Sequence, residues 1–185
     1  LGGKDETAFN LLRGFEEMGV SKDIICLCSK NMINVIRQYA PSVHTCAIPQ
    51  LYFHGFKIKG MNRANRMIRS LYEKYWIEKN KKDIEVFLFP NKPTSPWKYN
   101  IPTVVIPHDI QIFLAHEIPG IYYTERGYRK GTASILRDFK IRDHIIAISD
   151  YDRSEMIRFM PWAEHKIKRI YDPIYFDKMG SGTVH

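Results

Sequence analysis

The sequence lacks the features that mark several classes of protein. Its only cysteines are Cys26, Cys28 and Cys46, an odd number without paired spacing, which argues against a disulfide framework. No apolar run approaches the ~20 residues that a membrane-spanning helix needs. The first residues do not show the basic and then apolar pattern of a secretory signal, and no glycosylation sequon occurs. These absences predict a cytoplasmic protein with buried thiols in a reducing compartment.

The residues that are present indicate a packed globular domain. Hydrophobic residues make up 44% of the chain and aromatic residues 13%, which argues against disorder. The length of 185 residues suits one α/β domain and is too short for two. The net charge of +8 favours an acidic partner, and nucleic acid, sugar nucleotides and anionic lipid all qualify.

Short apolar runs alternate with helical patterns along the chain. Continuous apolar runs are typical of strands buried on both faces of a parallel sheet. The predicted strands span 23–28, 43–48, 84–89, 103–106, 144–148 and 166–170. The predicted helices span 5–18, 31–39, 60–79, 125–139 and 150–159. This alternation predicts an α/β fold: an open, mainly parallel, Rossmann-like sheet with helices on both faces.

Residues that follow strands are the candidates for function, because ligands bind beyond the carboxyl ends of the strands in open sheets. Gly2 and Gly3, before the first helix, let backbone amides approach an anion, although such glycines also form ordinary turns. His108 and Asp109 follow the fourth strand, where a histidine can move a proton, bind a hydroxyl or simply bond nearby backbone. Ser149 follows the fifth strand and is either a cleft residue or a helix N-cap.

Three segments, in this order, resemble the N-terminal domain of family 4 glycosyltransferases, which have the GT-B fold. Gly2 and Gly3 with FNLLRGF at 9–15 are similar to that family's glycine loop and first helix. The run VVIPHD at 104–109 is similar to its strand ending in His-Asp. The run IIAIS at 145–149, with the segment to residue 173, is similar to its exit toward the second domain.

The resemblance implies a cytoplasmic transferase of hexosyltransferase type that acts in glycan or polysaccharide synthesis. Residues 1–173 would form its acceptor-side domain and 174–185 the start of an interdomain linker, with the C-terminal donor-binding domain absent. Such an enzyme moves a sugar from a UDP-, GDP- or dTDP-sugar to a glycan or a lipid-linked saccharide. The fragment alone would be inactive, and no metal ion or organic cofactor is implied.

The resemblance also assigns roles to individual residues. Gly2, Gly3 and Ser149 would contact the donor, His108 would be catalytic, and Asp109 would contact the acceptor. The chain departs from the family pattern at its start, where a central strand should precede the glycine loop and only Leu1 stands.

Two other functions compete with sugar transfer. A Rossmann-type oxidoreductase is disfavoured, because GGKDET at 2–7 does not follow the Gly-x-Gly-x-x-Gly pattern. A non-catalytic basic binding module is suggested by the charge, but no recognised nucleic-acid motif occurs and no nucleic-acid partner is predicted.

The helix predicted from residue 60 is basic. It either rests on an anionic membrane surface, with aromatic side chains at the interface, or presents a solvated charged face. The basic and aromatic residues that the membrane interpretation uses are Arg63, Arg66, Arg69, Tyr72, Tyr75 and Trp76.

Overall fold

A computed structural model of the chain describes residues 3–50, 61–91, 96–108, 110–117 and 124–171. Gly2, Asp109 and the predicted linker at 174–185 therefore lie outside the described residues. All pairings between the described strands are parallel. The predicted α/β fold with a mainly parallel, Rossmann-like open sheet is confirmed at this level.

The described elements follow one another in the predicted order. The strands are β1 (Ile25–Ser29), β2 (His44–Ile48), β3 (Phe87–Phe89), β4 (Thr103–Val105), β5 (His144–Ala147) and β6 (Ile167–Arg169). The α-helices are α1 (Gly3–Glu17), α2 (Ile33–Tyr39), α3 (Met61–Asn80), α4 (Glu125–Lys140) and α5 (Asp150–Phe159). Short 3-10 helices that the periodicity does not predict span Ser21–Asp23, Lys30–Met32 and Pro161–Lys166.

The described strands form two parallel sheets. Strands β1 and β2 pair with Leu27 opposite Cys46. Strands β3, β4, β5 and β6 lie side by side in chain order. Within the described residues, β1 and β3 each have one edge to which no strand is paired.

Each sheet has its own buried cluster of apolar side chains. The smaller cluster joins α1 and α2 to the two-stranded sheet, and Phe9 of α1 stacks on Tyr39 of α2 with 4.7 Å between ring centroids. Burying a side chain of this size contributes about 1.5–3 kcal/mol. The larger cluster joins helices α3, α4 and α5 to the four-stranded sheet, and its fully buried members include Ile77, Val105, Ile145, Met156 and Ile167.

Helix α3 contacts both sheets. The Tyr72 hydroxyl lies 3.6 Å from the Cys46 sulfur on β2. One and a half turns further on, Ile77 is buried in the larger cluster. The Trp97 indole N–H also donates to the Ser70 hydroxyl at 3.0 Å, which ties the segment before β4 to the same helix.

A buried polar network lies under the four-stranded sheet around Arg142, which is 1% exposed. Its guanidinium donates to the Trp97 carbonyl at 3.0 Å and lies 4.4 Å from the centroid of the Phe89 ring. The buried Tyr99 hydroxyl donates to the Glu73 carboxylate at 2.6 Å. Burial lowers the pKa of Arg142, and the negative charges of carboxylates that include Glu73 oppose this shift.

The Cys28 thiol of β1 is buried and the Cys26 thiol is partly buried, and the two lie on the same side of the strand. Burial raises the pKa of Cys26 to about 12 and also raises the pKa of Cys28. All three cysteines are free thiols. Protonated thiols of this kind are poor nucleophiles and poor metal ligands, which agrees with a structural role.

We expect the Cys26 thiol to react with iodoacetamide at pH 8 on the order of 10³-fold more slowly in the folded protein than after unfolding in urea. Depletion of the thiolate causes the difference, and peptide mapping by mass spectrometry measures it. The unfolded chain is the matched control. Alkylation of folded Cys26 at the unfolded rate would show that this thiol is accessible and ionised.

Candidate functional site

The chain reaches His108 from a strand that is fixed at its amino end. The Asp143 carboxylate, just before β5, accepts hydrogen bonds from the Thr103 backbone N–H at 2.9 Å and the Thr103 hydroxyl at 2.7 Å. At the other end of β4, the Ile106 N–H donates to the Phe89 carbonyl at 2.9 Å and extends the pairing with β3. His108 therefore leaves the sheet at the carboxyl end of β4, as its position after the strand predicts.

The His108 ring is oriented by the end of the neighbouring strand. Its Nε2 lies 3.1 Å from the Pro90 carbonyl, directly after β3, and the side chain is half-buried. A carbonyl oxygen only accepts, so Nε2 carries the hydrogen and Nδ1 is the basic nitrogen of the neutral ring. The contact is the backbone hydrogen bond expected of a structural histidine, and it also determines that Nδ1, not Nε2, is the ring's acceptor.

Ser149 is the N-cap of α5. Its hydroxyl oxygen accepts from the Asp152 N–H at 3.0 Å, and the hydroxyl donates to the Asp152 carboxylate at 3.0 Å. Asp150 and Asp152 both lie in the first turn, where negative charge complements the helix dipole. The end of β5 therefore presents a hydroxyl and two carboxylates, which do not favour a phosphate group at this helix start.

A polar group that sequence reasoning missed lies at the end of β6. The Arg169 guanidinium donates to the Asp150 carboxylate at 2.9 Å and to the Tyr171 hydroxyl at 2.6 Å. The Tyr171 hydroxyl in turn donates to Asp150 at 3.2 Å. These three exposed side chains hold one another in place. The only signal for this group in the sequence is that Arg169 and Tyr171 lie at, or just after, the end of a predicted strand.

The segment that follows His108 is anchored on α5. Phe113 stacks on Phe159 with 5.2 Å between ring centroids. The Glu117 carboxylate accepts two hydrogen bonds from Arg158, at 2.9 and 2.7 Å, and these bonds lower the pKa of Glu117. Arg158 also pairs with Glu155 on its own helix. The residues that follow His108 in the chain are therefore held in place by contacts with α5.

The structure brings two of the predicted site residues to one edge. Strands β4, β5 and β6 are adjacent and parallel, so their carboxyl ends lie side by side at a spacing of about 4.8 Å. His108 and Ser149 follow two neighbouring strands of this set, and the Arg169 group follows the third. They form one row at the carboxyl edge of the four-stranded sheet.

Gly3 belongs to the other part of the chain, as the first residue of α1. The Ser42 hydroxyl donates to Glu16 at 2.6 Å, so the last turn of α1 lies beside the amino end of β2. Gly3 is at the opposite end of this helix, and the predicted glycine loop is shorter than expected because the helix already includes Gly3. The other two predicted contacts, Gly2 and Asp109, lie outside the described residues.

The site is described by its side chains alone. In the described ranges, no three His, Cys, Asp or Glu side chains are grouped so that they could hold a metal ion. Among the helices of those ranges, none combines the length and the apolar character needed to cross a membrane. No known protein family, curated protein or solved structure matches the chain.

Proposed function

We propose that this chain is the acceptor-side domain of a sugar-nucleotide glycosyltransferase of the GT-B type. The observation that carries the proposal is the position of His108, half-buried at the carboxyl edge of a parallel sheet with its ring oriented by the Pro90 carbonyl. Ligands of open α/β folds bind at this edge. The ordered resemblance of three segments to family 4 glycosyltransferases supports the same function.

The chemistry of the edge suits an acceptor that is rich in hydroxyl groups. In sugar transfer, an acceptor oxygen bonds to the anomeric carbon, the bond from that carbon to the phosphate oxygen breaks, and the nucleotide leaves. The acceptor hydroxyl must lose its proton, and the basic Nδ1 of a neutral His108 ring is suited to take it. The Asp150 carboxylate and the Tyr171 hydroxyl offer hydrogen bonds to sugar hydroxyls.

The donor phosphates are assigned to a second domain, which we propose follows this one in a longer chain. Asp150 and Asp152 make the start of α5 unfavourable for a further negative charge. A leaving nucleotide needs positive groups aimed at its developing charge, and this term is often the largest in catalysis. Ser149 would then lie near the transferred sugar rather than near the phosphates.

Open edges on both sheets support the Rossmann-like part of the proposal. Strands β1 and β3 each have an unpaired edge within the described residues. One parallel strand between them would join both sheets, and a right-handed crossover through α1 would connect that strand to β1. The central strand expected before the glycine loop would occupy this place.

We expect residues 1–185 alone to bind sugar nucleotides weakly and to transfer no sugar at a measurable rate. Half of a cleft leaves the reacting centre open to water, which weakens every electrostatic interaction there. The assay compares this chain with a longer chain that carries the second domain, using a panel of UDP-, GDP- and dTDP-sugars. Equal turnover by both chains would show that the catalytic groups all lie within residues 1–185.

A binding measurement separates sugar transfer from the oxidoreductase alternative. The longer chain is titrated, without an acceptor, in a calorimeter. The titrants are NAD(H), NADP(H) and the same sugar nucleotides. According to the proposal, only one of the sugar nucleotides should give a measurable heat of binding. Tight binding of a nicotinamide dinucleotide would instead assign the chain to oxidoreductases, despite its lack of the glycine fingerprint.

A further inference from the structure

Helix α3 exposes a row of apolar side chains. Met67 is 61% exposed, Leu71 49% and Tyr75 61%. Residues four apart lie above one another on the same face of a helix, so these side chains form one stripe about 12 Å long. Single exposed apolar residues are ordinary on protein surfaces, but a continuous row on one helix marks an interaction surface.

This stripe differs from the surface that the sequence suggests. Tyr72 faces Cys46, and Trp76 packs against the larger buried cluster. Arg69 is half-buried, and its charge acts on the thiols of β1. Of the basic and aromatic residues expected at an interface, only Arg63, Arg66 and Tyr75 are exposed.

The stripe has positive charge at both of its ends. Arg63 and Arg66 are exposed before Met67, and Lys79 is exposed after Tyr75. None of these three cations forms an ion pair inside the ranges that the structure describes. Glu78, the acidic residue of α3 that follows the stripe, is paired with Lys81 at 3.2 Å, and Glu73, within its span, is buried.

We propose that α3 lies flat on an anionic membrane surface, with Met67, Leu71 and Tyr75 inserted at the boundary between headgroups and acyl chains. An apolar stripe flanked by unpaired cations on a single helix is the pattern of an interfacial helix. Anionic headgroups offer negative charge along the whole length of the stripe, which matches cations at both ends. The tyrosine hydroxyl stays at the headgroup level while its ring is buried. The surface is independent of the proposed sugar transfer.

The test is sedimentation of the purified chain with vesicles of phosphatidylcholine, either pure or mixed with phosphatidylglycerol. We expect binding to the mixed vesicles only, and binding that weakens as salt is raised. The double variant Arg63→Ala/Arg66→Ala should lower the partition coefficient about 30-fold. The variant Leu71→Ser should lower it by a similar factor, because it removes apolar area from the inserted stripe.

Helix α4 provides a matched control. Arg126 and Arg129 are exposed at the same three-residue spacing as Arg63 and Arg66, and no large apolar side chain of α4 is exposed. Arg126→Ala/Arg129→Ala removes the same charge from the protein, so the proposal expects little change in vesicle binding. Circular dichroism and thermal melts of each variant show whether it is folded.

The remaining outcomes overturn the proposal. An equal loss in the α3 and α4 variants would mean that the protein binds by net charge alone. Binding that Leu71→Ser leaves unchanged would mean that the stripe does not enter the bilayer. Failure to bind vesicles, together with a dimer that Leu71→Ser dissociates in light scattering, would assign the stripe to a contact between two copies.

Discussion

Replacing His108 by alanine, in a chain that carries both proposed domains, is expected to lower kcat by about 10²–10⁴-fold, the range typical of a lost general acid or base. The melting temperature should change little. The ring is half-buried at the sheet edge and is not a member of either buried cluster. Steady-state kinetics with the active sugar nucleotide and a thermal melt of the same preparation make the comparison.

Two further variants show whether His108 acts through its proton or its position. His108→Gln keeps an N–H that can reach the Pro90 carbonyl but cannot take a proton, so it should be nearly as slow as His108→Ala. The exposed His116, which contacts the Tyr128 ring, is the control, and His116→Ala should keep most of the activity. Full activity of His108→Ala would remove the catalytic assignment.

Replacing Arg142 by alanine is expected to lower the free energy of unfolding by about 3–5 kcal/mol, the usual cost of removing one partner from a buried charged network. The variant removes the positive charge that acts on the buried Glu73 and Asp138, although Asp138 keeps its pair with Arg137. It also removes the bond to the Trp97 carbonyl. Urea unfolding followed by circular dichroism measures the change.

Arg137 is the control for this prediction, because it is a neighbouring arginine whose own side chain is exposed, although its partner Asp138 is buried. Its side chain is 61% exposed and lies 3.5 Å from the Asp138 carboxylate. The charge of a solvent-exposed arginine is screened by water and contributes about 0–1 kcal/mol, so Arg137→Ala should lower the free energy of unfolding by no more than about 1 kcal/mol. Equal effects of the two substitutions would mean that Arg142 is not in the buried network described above.

Local patterns predict the elements of this chain well, because each apolar run or amphipathic stripe reflects the burial of that segment. Helix α5 spans Asp150–Phe159 as predicted, with Ser149 at its cap. The largest error in a strand is at β3, which is predicted from residue 84 and begins at Phe87. Phe87 is paired with Thr103, the first residue of β4, so the residues before it have no partner on that strand.

Long-range pairing is what the sequence could not reveal. The division into two sheets depends on which strands meet, and no local pattern records that. The burial of Arg142 was also unpredictable, because an arginine between a helix and a strand has the sequence signature of a solvated residue.

The candidate site was predictable in part. The position of His108 at the sheet edge could be predicted, because this residue comes after an apolar run. The group of Arg169, Asp150 and Tyr171 could not be predicted, because it forms only where two separate segments of the chain meet. On α3, the alternation of aromatic and basic residues could not say which aromatic faces outward. Tyr72 turns inward to contact Cys46 on β2, and Trp76 turns inward to pack against the larger buried cluster.

Helix α3 has a consequence for how the molecule comes apart. It contacts β2 through Tyr72 and the four-stranded sheet through Ile77, so neither sheet can melt without uncovering part of this helix. Local unfolding follows groups of elements that share contacts, and α3 packs in the larger buried cluster while its Tyr72 contacts β2 at a partly buried position. The two sheets therefore do not behave as separable modules. Heating should remove both in one cooperative transition, and a cleavage on either side of α3 should release neither as a stable fragment.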